Sequence, residues 1–163
     1  MSVSPFLQAI IDQFGELFGQ VIEALEGVPE SDLGSWRTPL AHGEINTMFG
    51  LATHIAGATS FWVLEAVGGR DQQRRRLEEF AAQGSLDSLR GRYLELMHDI
   101  EFVILAQTPE DLASTYRREA NSVQGVSAAE RTKASCIVHA LEHVALHVGH
   151  LQLQRQLWDQ EQA

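Results

Sequence analysis

The sequence predicts an all-α fold, a four-helix bundle with long crossover connections, and three observations carry that expectation. Apolar residues recur at helical spacing through four long stretches. No stretch alternates apolar and polar residues convincingly enough for a half-buried strand. Two connections run about 16 to 20 residues, long enough to suggest crossovers, so the course need not be simple up-down-up-down.

The first helix runs from Pro5 to about Val28. Phe6, Leu7, Ile10, Ile11, Phe14, Leu17, Phe18, Val21, Ile22 and Leu25 form its stripe. Ser4 stands at the N-cap, and Pro5 suits the first helical position, where its missing N–H costs nothing. Gly27 and Pro29 end it. Residues 31–44 (SDLGSWRTPLAHGE) read as a loop anchored by Trp36, with His42 exposed beside Gly43. The second helix starts at Asn46 or Thr47, with Asn46 as N-cap, and ends at Val67 before Gly68-Gly69. Met48, Leu51, Ile55 and Trp62 line one face, and His54 sits at its edge. From His54, Ala58 falls near ~40° and Phe61 near ~340° at ~100° per residue, so the imidazole looks inward over a small residue.

Residues 70–85 are charged. RDQQRRRLEEF holds a short helix whose Leu77 and Phe80 reach the core, and Arg74-Arg75-Arg76 reads as solvated. The third long helix, Ser85 to about Gln107, carries Leu86, Leu89, Tyr93, Leu96, Met97, Ile100, Val103 and Ile104 on one stripe, with His98 off it. Residues 108–125 are a connection, and a weak strand signal over 116–123 is compatible with a short hairpin. Ser127 and Glu130 have the spacing of a capping box ahead of the last helix.

That last helix, Ala134 to Trp158, organises the chain. Four of the seven histidines lie on it: His139, His143, His147 and His150. From His139, the others fall near ~40°, ~80° and ~20°, a single stripe. Ile137, Ala140, Leu141, Val144, Val148 and Leu151 fill the adjoining arc, and Glu142 is the only acid between Ser135 and Gln156, so the helix reads as largely buried. A lone histidine on an apolar face is usually a core residue whose ring nitrogens find partners. Four on one stripe would each need a partner, which favours a metal site. His143/His147 and His139/His143 both have the i, i+4 spacing that converges two imidazoles on one ion, and His147/His150 is an i, i+3 pair; the spacing does not choose among them. His139 and His147 stand ~12 Å apart along the axis. A third ligand therefore comes from another helix, and His54 is the residue placed for it.

Bulk properties narrow the function. At 163 residues the chain reads as one domain over 1–163, with 44% hydrophobic content against disorder. The net charge of -10, 22 acids against 12 bases, argues against nucleic acid or an anionic membrane as partner. One cysteine, Cys136, excludes an internal disulfide and suits a reducing compartment; it falls near the histidine stripe and reads as a small buried hydrophobe. No spanning apolar run is present, and MSVSPFLQAI lacks a basic leader segment, so the expected location is the cytoplasm. There is no H-E-x-x-H, G-x-S-x-G, phosphate loop or dinucleotide fingerprint.

Three histidine ligands leave a position for water, substrate or a thiolate, the mark of a catalytic rather than a closed structural site. All-imidazole ligation suits Zn, Ni, Fe or Cu and does not choose among them; Zn or Ni is the expected metal, with Fe, Mn or Cu as alternatives. Each ligand also needs an acceptor for its other nitrogen: Glu142 points away from His143, leaving His139, Gln152 or a main-chain carbonyl.

THIAGATSFW in the second helix and EHVALHVGHLQLQRQ near the end, with TPLAHGEINTMFG and VGGRDQQRRRLEEF, resemble the DinB/YfiT-like superfamily of damage-inducible four-helix bundles. The resemblance covers most of the chain. It implies an up-down-down-up course and a metal held by His54, His143 and His147. Many members carry Gln where this chain has His150, which implies an extra ligand, an orienting group or a general base at that position. Characterised relatives include mycothiol-dependent isomerases and bacillithiol-type S-transferases. The resemblance thus implies a low-molecular-weight thiol as cofactor and, with the apolar content, a homodimer. The leading expectation is a metal-dependent thiol S-transferase or related detoxification enzyme acting on a small molecule. A metal-dependent hydrolase, a non-catalytic metal- or ligand-binding stress protein and a purely structural bundle are the alternatives.

Overall fold

The computed structural model describes residues 4–38, 45–120 and 128–163, and these are mostly helical. In chain order they form α1 (Pro5–Leu25), α2 (Glu30–Ser35), α3 (Met48–Thr59), a π-helical segment (Ser60–Glu65), α4 (Arg76–Phe80), α5 (Leu86–Leu105), α6 (Pro109–Ala113), β1 (Thr115–Arg118), β2 (Ala129–Thr132) and α7 (Lys133–Gln162). The four long helical stretches foreseen are present. α1 packs on α5 and α7, and α3 packs on α4, α5 and α7. Phe14, Val21, Leu25, Met48, Ile55, Ile100, Ile104, Val144 and Leu151 form the fully enclosed centre.

The second long helix departs most from expectation. Its N-cap is Thr47, whose hydroxyl oxygen accepts from the Gly50 N–H at 3.1 Å, not Asn46. All twelve residues of α3 are buried, because Gly50, Ala52, Ala56, Gly57 and Ala58 let neighbours approach from every side. After Thr59 the helix widens. Ala66 N–H bonds the Phe61 carbonyl and Gly68 N–H the Val63 carbonyl, each at 3.0 Å, five residues back instead of four. The Thr59 and Ser60 hydroxyls bond the carbonyls of Ile55 and Ala56, drawing on the turn that precedes the wide segment.

Several smaller expectations are corrected. The stretch after Pro29 is not all loop: α2 forms there and buries Leu33, while Trp36 anchors onto the core as foreseen, its indole N–H meeting Glu161 at 2.8 Å. His42 lies outside the described residues. Phe6 (70% exposed) and Leu77 (54%) point to solvent. Leu77 turns out because the buried position of α4 is taken by Glu79. The strand signal at 116–123 belongs to β1, which pairs antiparallel with β2 rather than within itself, Tyr116 opposite Arg131 and Arg118 opposite Ala129. Glu130 is therefore in a strand, and the cap of α7 is Thr132, accepting from the Ser135 N–H at 3.2 Å; Ser127 lies outside the described residues. The capping box among these connections is Thr108 with Asp111, at α6.

α7 is buried along one stripe only, Cys136, Ile137, Ala140, Val144, Val148, Leu151, Gln154 and Trp158. Its opposite side is exposed even though apolar, with Val138 and Leu146 each 58% exposed and Leu153 54%. Absence of charge on a helix thus did not mean burial here. Polar ties lock the ends: Gln154 donates to the Asn46 carbonyl at 2.9 Å, Trp158 to Asp32 at 3.0 Å, and Arg155 to the carbonyls of Ala24 and Glu26. Tyr93 of α5 donates its hydroxyl to the Ala52 carbonyl at 2.8 Å, two residues before His54, and burial pushes its own pKa well up.

Tyr93→Phe removes that bond at a buried site while keeping the ring. The expected loss is about 0.5–1.5 kcal/mol, read as a lower midpoint at unchanged slope in urea unfolding.

Candidate metal centre

α3 and α7 bring His54, His143 and His147 together, with one ring nitrogen of each lying within 4.8 Å of the others. His54 Nε2 and His143 Nε2 are 3.3 Å apart. Ring centroids lie 5.1 Å apart for His54–His143, 5.2 Å for His54–His147 and 4.4 Å for His143–His147. The i, i+4 pair supplies two imidazoles from adjacent turns, and the third comes from the facing helix.

His54 is held from behind. Its Nδ1 lies 2.8 Å from Glu79 Oε2, and Arg74 clamps the same carboxylate with Nε on Oε1 at 2.7 Å and Nη2 on Oε2 at 2.8 Å. Burial alone would raise the Glu79 carboxyl; the hydrogen bonds and charges of Arg74 and His54 outweigh it and hold Glu79 below the usual range. An ionised Glu79 accepts the Nδ1 proton, which leaves the Nε2 lone pair aimed into the triad. Phe80 stacks on the ring at 4.4 Å and 26°. Glycines make this approach possible. A Cβ on Gly57 would sit 2.2 Å from Glu79 Oε1, and one on Gly50 would sit 2.7 Å from the Phe80 carbonyl oxygen.

His143 and His147 are neutral at ordinary pH. Burial, reinforced by the neighbouring imidazoles, lowers His143 to about 3 and His147 to about 4. Among the described residues, His143 Nδ1 is buried without a hydrogen-bond partner. Neutral imidazoles with converging nitrogens suit a cation and suit one another poorly, so the donor set fits a divalent metal.

The remaining sequence candidates sort clearly. His150 is exposed and lies outside the triad, its Nδ1 3.2 Å from His147 Nδ1. His139 stands one turn before His143, its ring 6.3 Å away, and meets Trp62 edge-on at 4.8 Å. Glu142 leans toward His139 at 3.7 Å, away from His143 as foreseen. Gln152, considered as an acceptor for a ligand nitrogen, instead reaches Gln20 on α1. Cys136 is fully buried, and burial raises its thiol pKa. Sequence reasoning missed Glu79 and Arg74. Their segment read as solvated charge, and only the i, i+5 spacing of Arg74 and Glu79 on a short amphipathic piece could have hinted that one pair turns inward.

Because both α7 imidazoles bind protons less readily in the fold than in the unfolded chain, the unfolded state holds more protons below pH 6.5. Stability of the metal-free protein is therefore full above about pH 6.5 and declines as pH falls toward 4. In urea titrations across that window, His143→Gln/His147→Gln should flatten the slope; a wild-type profile with no such slope would contradict the neutral-imidazole picture.

The chain matches the family model described as Mycothiol-S-transferase over residues 9–160. That span contains the triad, Glu79 and Arg74. No curated protein matches the chain significantly. The match extends over nearly the whole sequence, and with it the chain belongs to the mycothiol-S-transferase family, within the DinB/YfiT-like superfamily.

Proposed function

We propose that the protein is a metal-dependent S-transferase joining a low-molecular-weight thiol to a small electrophile, with one divalent ion, Zn or Ni first, on His54, His143 and His147. The observation that carries this reading is the convergence of three imidazoles from two helices, with the family match beside it. An ion so held would have an open position able to bind a thiol sulfur and keep it as thiolate. In the net reaction an S–C bond forms, the bond to the leaving group breaks with its electron pair, and the thiol proton passes to solvent.

The protein's own groups have distinct parts. Glu79 fixes the His54 tautomer and increases its basicity, and Arg74 fixes Glu79. His150, through its nitrogen beside His147, orients that ring. Trp62 and His139 wall the side of the triad toward the hairpin. Glu79 is committed to His54 and Arg74 rather than free to activate water, which favours thiol transfer over hydrolysis. The same reading takes residues 1–163 as one domain, a four-helix bundle of up-down-down-up course, working as a cytoplasmic homodimer. No described helix is long and apolar enough to cross a membrane.

Metal analysis of untagged protein tests the core of this. Wild type should carry about one equivalent and His54→Ala/His143→Ala almost none, with thiol–electrophile turnover lost in parallel. Metal in neither protein would leave the triad as packing. Behind the ligands, Glu79→Gln should weaken metal binding about 10- to 100-fold in chelator competition. Gly57→Ala should act in the same direction, since its methyl displaces the carboxylate.

A further inference from the structure

A polar pocket of about 360 Å³ lies beside Glu79, among α3, α4 and α5. Its lining is buried at Thr53, Gly57 and Glu79 and exposed at Gln73, Arg75 and Arg92, so it runs from the interior to solvent. Thr53 is unusual there. It is only 6% exposed, and among the described residues its hydroxyl meets no hydrogen-bond partner. Thr59 and Ser60, further along the same stretch, turn their hydroxyls to carbonyls four residues back. A buried hydroxyl left unpaired costs stability that a valine of the same shape would not. Gln73 is unusual too. Its φ of 43° lies where side chains other than glycine are strained, and that turn sets residues 72–75 along the pocket.

Three guanidiniums line the pocket against two carboxylates. Arg75 pairs with Glu78 at 3.0 Å in the open. Arg74 spends Nε and Nη2 on Glu79, and among the described residues its Nη1 bonds nothing. Arg92 makes no ion pair among the described residues. The lining therefore holds one positive charge in excess, in a protein whose net charge is -10. One excess cation suits a monoanion, and a guanidinium takes a carboxylate in a planar fork. Gln72 gives its side-chain N–H to the Arg70 carbonyl, and Ser60 its O–H to that of Ala56. The amide oxygen and the Ser60 lone pairs are left to accept, which suits the O–H groups of a ligand. The volume is that of a small molecule rather than a bare ion.

We propose that this pocket binds a small hydroxylated monocarboxylate, its carboxylate on Arg92 and the open edge of Arg74, its hydroxyls toward Thr53 and the Gln72 amide. A ligand there lies one ion pair from His54, because Arg74 and Glu79 belong both to the pocket and to the support of that ring. The site stands whether or not the protein transfers thiols.

Calorimetry on the full chain as purified tests this, with gluconate as probe and glucitol as its neutral counterpart. Wild type should bind gluconate saturably at about 1 mM or tighter, and glucitol about tenfold more weakly or worse. Arg92→Gln should weaken gluconate about tenfold, and Arg92→Lys less. Thr53→Val should weaken gluconate about threefold or more and yet raise the urea midpoint of the ligand-free protein, since a methyl replaces an unpaired hydroxyl. A threonine that merely supports the fold would lower both. His143→Gln/His147→Gln should bind gluconate as wild type does, which separates the pocket from any metal on the triad. Absence of saturable binding, equal binding of glucitol, or a gluconate affinity untouched by Arg92→Gln and Thr53→Val overturns the proposal. So does loss of gluconate binding in the triad variant. None of these results bears on the transferase reading, which is decided by metal content and turnover.

Discussion

A carboxylate enclosed beside a histidine must be met by hydrogen bonds and opposite charge, or the burial is prohibitive. Glu79 meets that requirement with two partners, His54 and Arg74, whose own nitrogens lie 3.3 Å apart around the same carboxylate. Much of the surrounding structure follows. α4 must lie hard against α3, which requires the glycines at 50 and 57. The chain before α4 must turn back so that Arg74 reaches over, and Gln73 does so with a positive φ of 43°. Phe80, one residue on, then falls on the His54 ring. One buried acid thereby sets the tautomer, the ring plane and the position of the imidazole contributed by α3.

The two α7 imidazoles are governed by a different balance. Among the described residues no carboxylate holds them; burial and mutual repulsion keep them neutral. The triad therefore joins one imidazole anchored by charge to two held by desolvation. The two α7 imidazoles need shed no proton near neutrality before a cation could approach them.

Much of this was legible in the sequence. The i, i+4 histidines and the inward edge position of His54 are consequences of helix geometry alone, and geometry of that kind survives into the fold. Charge was harder to read. RDQQRRRLEEF looks like solvated surface because a linear pattern cannot say which single acid will turn in; Glu79 does so only because Gly57, more than twenty residues earlier, leaves room. The exposed apolar side of α7 misled in the opposite direction, since Leu146 and Leu153 look like core in composition. The hairpin was nearly invisible because its strands are short and their pairing spans a gap in sequence, and with it went the arginines it carries.

The widened segment at Ser60–Glu65 divides one continuous helix into two halves of different phase. Upstream, His54 is keyed to α7; downstream, Phe61 and Trp62 are keyed to the hairpin. Loss of one residue there would restore ordinary winding and rotate everything on one side of it by ~100° relative to the other. The aromatic wall could then be re-aimed without disturbing the imidazole below it. The extra residue lets this scaffold vary the aromatic wall beside the histidine triad while the triad itself stays fixed.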